Sequence, residues 1–158
     1  MIELDKNDLA ILSILQENCR SSLDLIADEV GLSIVTVQRR IKRLRDSGVI
    51  LRDVSVLDPD KLGWKMTFLV LVEMNRERSD MLDKFRKRMI NEPQVQQCYY
   101  ITGEADFALI CLAKDMEDFE LLTHKLFFDD PNIRRFKTNV VMRRNKVGLD
   151  VMIEPRAL

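Results

Sequence analysis

Arg39, Arg40, Lys42, Arg43 and Arg45 crowd into Gln38–Arg45, a stretch without an acid that holds five of the eight basic residues among the first 58. Together with Gln38, and with the hydroxyls of Ser33 and Thr36 just upstream, these are the side chains that nucleic-acid recognition uses. A guanidinium pairs bidentately with guanine O6 and N7, an amide addresses adenine, and either cation type neutralises phosphate. Ser33 and Thr36 fall where hydroxyls and backbone N–H groups at a helix start can meet phosphate. The chain as a whole is neutral, with 25 Lys+Arg against 26 Asp+Glu, so the basic feature is local. A neutral protein with one basic stripe can still bind a polyanion there. The competing reading is an ordinary solvated charged face. Against it stands the absence of the acids that a merely soluble helix carries.

Other chemistries have little to work with. One His and three scattered Cys (Cys19, Cys98, Cys111) supply no metal-ligand cluster, so no metal, no catalytic residue and no cofactor is expected. His124 falls inside a helical stretch and reads as structural or surface. The odd cysteine number suggests reduced thiols in a cytoplasmic protein, which DNA binding through the stripe would make nucleoid-associated. No apolar run approaches the ~20 residues of a membrane span, and the start Met1-Ile2-Glu3-Leu4-Asp5 is unlike a signal peptide.

The elements that must hold the stripe are three helices. Leu4, Leu9, Ile11, Leu12 and Leu15 have helical spacing, with Asp5 placed as N-cap. Ser21 and Asp24 fit a capping box for a second helix, which Gly31 ends. Ser33 caps a third, whose stripe is Ile34, Val37, Ile41 and Leu44, and Gly48 closes it. At about 100° per residue, Val35, Arg39, Lys42 and Arg43 point away from that stripe, with Thr36, Gln38 and Arg40 on its flanks. The pair around Gly31-Leu32-Ser33 is a helix-turn-helix. Val49–Asp58 then reads as an extended linker strand.

From Trp64 the chain alternates: strand Trp64–Met74, helix Ser79–Asn91, strand Val95–Ile101, strand Asp106–Ala113, helix Met116–Phe128, strand Ile133–Arg144. That order, βαββαβ, is ferredoxin-like. The class is therefore α+β: a winged helix-turn-helix domain over 1–48, a linker strand and hinge over 49–63, and a ferredoxin-like domain over 64–158. Helices cover one face of such a sheet, yet Leu69–Leu71 and Phe107–Cys111 are apolar on both. A second subunit's sheet is the simplest cover, so a homodimer is expected. A two-fold dimer presents two recognition helices to an inverted-repeat operator in double-stranded DNA, half-sites about one turn or a multiple apart. The basic strand Arg134, Arg135, Lys137, Arg143, Arg144 and Lys146 lies in a run free of acids between Asp130 and Asp150; it either contacts wrapped DNA or is simply solvated.

Gly31-Leu32-Ser33, the run Arg39-Arg40-Ile41-Lys42-Arg43-Leu44, Gly48-Val49-Ile50, the opening Leu4-Asp5-Lys6-Asn7-Asp8 and Leu15-Gln16-Glu17-Asn18-Cys19-Arg20 resemble the Lrp/AsnC family of regulators. So does Thr102-Gly103-Glu104-Ala105-Asp106, similar to the turn of the family's RAM-type effector domain. The resemblance spans nearly the whole chain. It implies a transcriptional regulator that dimerises, often assembles into an octamer (a tetramer of dimers), and responds to a small effector, usually an amino acid. The effector site it implies is Thr102, Gly103, Glu104, Ala105 and Asp106. A zwitterion needs N–H donors for its carboxylate and an acceptor for its ammonium. Amides around Gly103 and the carboxylate of Glu104 or Asp106 have those chemistries; the plain alternative is a tight turn that Asp106 merely satisfies. Ala105 departs from the aromatic residue common there, which widens the site or changes what it accepts. Two other classes stay open: a tetrapyrrole decarboxylase-like enzyme on the same scaffold, and an architectural nucleoid protein with weak sequence preference.

Overall fold

Asp5 and Asp8 set the start of the first helix reciprocally. Asp5 Oδ1 accepts the Asp8 amide at 2.9 Å, and Asp8 Oδ2 accepts the Asp5 amide at 3.1 Å, a complete capping box at the head of α1 (Lys6–Glu17). The computed structural model describes residues 2–75 and 78–153. These fold as two units: one holds the chain up to Val56 and again from Val147, the other holds residues 57–146.

In the first unit α2 spans Leu23–Val30 and α3 spans Ile34–Asp46. The N-cap of α2 is Ser22, whose Oγ accepts from the Leu25 amide at 3.2 Å, one residue later than the Ser21–Asp24 pattern predicts. Ser21 is held outside the helix because its amide donates to the Asn18 carbonyl. Gly31 ends α2 at φ +65°, a left-handed conformation that side chains disfavour, and lets the Leu32 amide reach back to the Ala27 carbonyl. The unit's core is Ile11, Ile26, Ala27, Val37, Ile41 and Leu44.

The linker differs from the sequence expectation. Among the described residues, Val49–Asp58 makes no strand ladder; the amides of Val49 and Ile50 both cap α3 through the Leu44 carbonyl. Past them the chain offers its backbone and its apolar side chains to solvent, Leu51 and Val56 most openly. The tail also differs. The sequence places it with the second domain, but Val151 exchanges two hydrogen bonds with the Gln16 side chain, each 2.9 Å, within the first unit. Its last five residues lie outside the described residues.

The second unit runs β1 (Met66–Met74), α4 (Ser79–Ile90), β2 (Val95–Tyr100), β3 (Phe107–Ala113), α5 (Met116–Thr123) and β4 (Ile133–Val140). The strand order is β2-β3-β1-β4, antiparallel throughout, which is the ferredoxin-like arrangement. Phe68, Val70 and Val72 of β1 alternate into the core with Leu82, Phe85, Met89, Phe119 and Leu122 of the two helices. Phe68 stacks on Phe119 with ring centroids 3.6 Å apart. After Thr123 the helix widens into a π-turn over His124–Phe128, which seats the consecutive residues Leu126 and Phe127 in the same core. β4 stops at Val140 rather than Arg144: the Val141 amide makes the last bond, to the Thr67 carbonyl, because β1 begins at Met66 and leaves nothing to pair with.

Cys111 lies fully buried in this core, and burial pushes its thiol up to about 12, while Cys19 is exposed. In the native protein at pH 8, iodoacetamide should therefore modify Cys19 and spare Cys111, which becomes reactive only in denaturant. Equal rates at both, read by peptide mass spectrometry, would contradict this core. The same shift makes stability fall as pH rises from the ordinary thiol range toward 12, because the unfolded chain loses a proton that the folded chain keeps.

Candidate nucleic-acid interface and effector turn

Three residues anchor α3: Val37, Ile41 and Leu44 are buried, which turns the opposite face outward. Val35, Gln38, Arg39 and Lys42 occupy that exposed face. Ser33 caps the helix; its Oγ accepts the Thr36 amide at 3.3 Å and lies 2.8 Å from Thr36 Oγ1. Thr36 is half-buried, Ser33 exposed.

The acids missing from Gln38–Arg45 arrive from elsewhere in the chain. Arg40 Nη1 donates to Asp5 Oδ2 at 2.7 Å and to Asp8 Oδ1 at 2.9 Å. Arg43 Nη2 donates to Asp8 Oδ2. The Asp8 side chain is only 1% exposed, so this is a buried carboxylate compensated by two guanidinium groups and one amide. The Asp8 amide, then the Arg40 guanidinium, hold the Asp5 carboxyl below the usual carboxylate range, and hydrogen bonds to the Asp5 and Asp8 carboxylates raise Arg40 further. Lys42 pairs with Asp46 at 2.6 Å and Arg45 with Asp53 at 2.9 Å, both on the surface. Such exposed pairs contribute only ~0–1 kcal/mol and yield readily to a phosphate. Among the described residues Arg39 has no ion-pair partner, and it is exposed.

The stripe is thus three kinds of cation. Arg40, which the sequence places on a flank of the stripe, is 20% exposed and turns toward α1. Arg43 is divided between Asp8 and solvent. Arg39, Lys42 and Arg45 stay accessible. The Arg40–Asp8 pair joins residues 32 positions apart, so no sequence periodicity could have shown it. The basic strand meets the same fate: Arg134 and Arg135 face Glu73, Lys137 lies 3.8 Å from Glu104, and Arg144 pairs with Asp60.

The turn at Thr102–Asp106 is brought together as one feature. Gly103 has φ +122°, and Thr102, Gly103 and Glu104 are exposed, while Ala105 is buried beneath them. Asp106 is held to β1 twice: its amide donates to the Val72 carbonyl at 2.9 Å and its Oδ2 accepts the Met74 amide at 2.6 Å. Its carboxylate is therefore engaged by the sheet, and Glu104 is the acid of this turn that faces solvent. Among the described residues no group of His, Cys, Asp and Glu is arranged to hold a metal ion, and no helix is long and apolar enough to cross a membrane.

A helix-turn-helix with a cationic outer face, carried with a ferredoxin-like sheet, defines a DNA-binding regulator with an appended sensing domain. Two family models match the chain: a winged helix-turn-helix DNA-binding model over residues 4–50 and the Lrp/AsnC ligand binding domain over 67–149. The chain is 46% identical to the HTH-type transcriptional regulator y4tD of Sinorhizobium fredii, across 97% of this chain and 90% of that protein. An AsnC family transcriptional regulator from Agrobacterium tumefaciens superposes with a TM-score of 0.88 at 28% identity, covering 94% of this chain and 97% of that one. A Neisseria meningitidis regulator crystallised as an L-Met complex superposes at 0.87 with 26% identity, covering 95% and 97%. The chain belongs to the Lrp/AsnC family and is a DNA-binding transcriptional regulator.

Asp8→Asn, which keeps the shape and removes the charge, should cost about 2–4 kcal/mol, because Arg40 and Arg43 both lose the buried carboxylate they share. A thermal melt unchanged by this substitution would contradict the cluster. Since the Asp5 carboxyl is depressed, its contribution is complete above about pH 4 and fades as pH falls through the folded-state value.

Proposed function

We propose that residues 1–48 read double-stranded DNA, that 49–63 form the hinge, and that the sheet domain from Trp64 onward dimerises and senses an amino acid. In this reading Gln38 and Arg39 address base edges from the outer face of α3. Lys42 and Arg43 contact phosphate, and Ser33 and Thr36 lie near it at the helix start. Arg40 positions α3 through Asp5 and Asp8 and makes no base contact. The observation that carries the reading is the exposed, unpaired Arg39 on a helix whose opposite face is buried.

The sheet face away from the helices bears the half-buried Leu69, Leu71, Ala108 and Ile110, which supports a homodimer through that face, assembling as an octamer of four dimers. The matching operator is an inverted repeat. The Neisseria regulator's L-Met complex supports an amino-acid effector. Around the turn, Thr102 and Gly103 offer donors to its carboxylate and Glu104 an acceptor to its ammonium. Ala105 and Asp106 hold the floor of that site. The protein is a cytoplasmic regulator without enzymatic activity.

Fluorescence anisotropy of the full chain tests this, with DNA from upstream of its own gene against a shuffled duplex, at fixed salt, with and without pooled amino acids. A preference of ~10³-fold or more for the upstream DNA, shifted by the pool, is expected. Equal, salt-sensitive binding to both duplexes would indicate an architectural protein, and no binding to either would overturn the DNA role of α3.

A further inference from the structure

Val35 lies in the first turn of α3, is 75% exposed, and belongs to neither the first unit's core nor its half-buried margin. A β-branched side chain lowers helix propensity, so it adds nothing to the helix it stands on. At about 100° per residue it points opposite the fully buried Leu44, with Gln38 and Lys42 on one side and Arg39 on the other. It thus stands on the outward face of α3 together with Arg39 and Lys42, an apolar centre in a polar face. Ion pairing sharpens the contrast. Arg40 and Arg43 are drawn toward Asp8, which leaves Val35 flanked by Arg39 and Gln38, both exposed and without a side-chain partner among the described residues.

The major-groove edge of DNA presents one apolar group, the C5-methyl of thymine, and small apolar side chains read it. We propose that Val35 is a specificity-determining residue that packs on a thymine methyl, beside the base addressed by Arg39. Four residues of helix rise about 6 Å, which places that thymine one or two base pairs from the base Arg39 reads. The proposal rests on α3 being the reading helix, and it adds a position that charge and hydrogen bonding would never nominate.

The test starts from duplexes enriched by the full chain from a randomised pool. Each thymine of the enriched site is then replaced singly by deoxyuracil, which removes the methyl group and keeps the pairing. Wild-type affinity should fall about three- to fivefold at one thymine per half-site, as for one lost methyl contact. Val35→Ala, which favours the helix, should bind the thymine duplex correspondingly more weakly and lose sensitivity at that position alone. Insensitivity of the wild type at every thymine, or unchanged sensitivity in Val35→Ala, overturns the role of Val35 while leaving α3 as the reading helix. Failure to enrich any duplex overturns both.

Discussion

The buried carboxylate of Asp8 orders the DNA-reading half of the molecule. It completes the cap of α1 through Oδ2, which also holds Arg43 of α3, while its Oδ1 holds Arg40. A carboxylate removed from water is costly unless paired and hydrogen-bonded. Satisfying Asp8 therefore requires α3 to lie against the start of α1 with Arg40 and Arg43 on the near side. The apolar stripe Val37, Ile41 and Leu44 supplies the packing energy, but a stripe alone tolerates rotation about the helix axis. The ion cluster removes that freedom and so decides which side chains face outward.

That sorting separates two duties within a run of like charges. Arg40 serves the fold, whereas Arg39 and Lys42 stay accessible for a polyanion. The second unit carries a different constraint. Its helices bury one face of the sheet around Phe68, Phe85 and Phe107, and the opposite face keeps aliphatic residues that a single chain covers only in part. The turn at Thr102–Asp106 is tied to the central strand of that sheet through Val72 and Met74.

Local signals were legible in the sequence because local chemistry produces them. Asp5 and Ser33 as caps, Gly31 as the stop of α2, and the alternation along β1 all follow from neighbours within a few residues. Ser21 and Ser22 were not separable that way, since the choice depends on the Asn18 carbonyl taking the Ser21 amide. The linker's apolar residues read as a strand, yet a strand needs a partner and the described residues provide none. The acid-free look of Gln38–Arg45 hid its partners because Asp5 and Asp8 stand more than thirty residues away. The candidate effector turn was visible as a motif, while the engagement of Asp106 by β1 was not.

The division of labour between Arg39 and Arg40 is the central claim, and one paired measurement bears on it directly. Arg39→Ala and Arg40→Ala are compared by thermal melting and by affinity for the enriched duplex. Arg39→Ala should weaken specific binding by ~1–3 kcal/mol and leave Tm unchanged. Arg40→Ala should lower Tm by several degrees, through the loss of a partner to a buried carboxylate. The opposite pattern, with Arg40→Ala stable but blind to DNA and Arg39→Ala unaffected, would contradict the account.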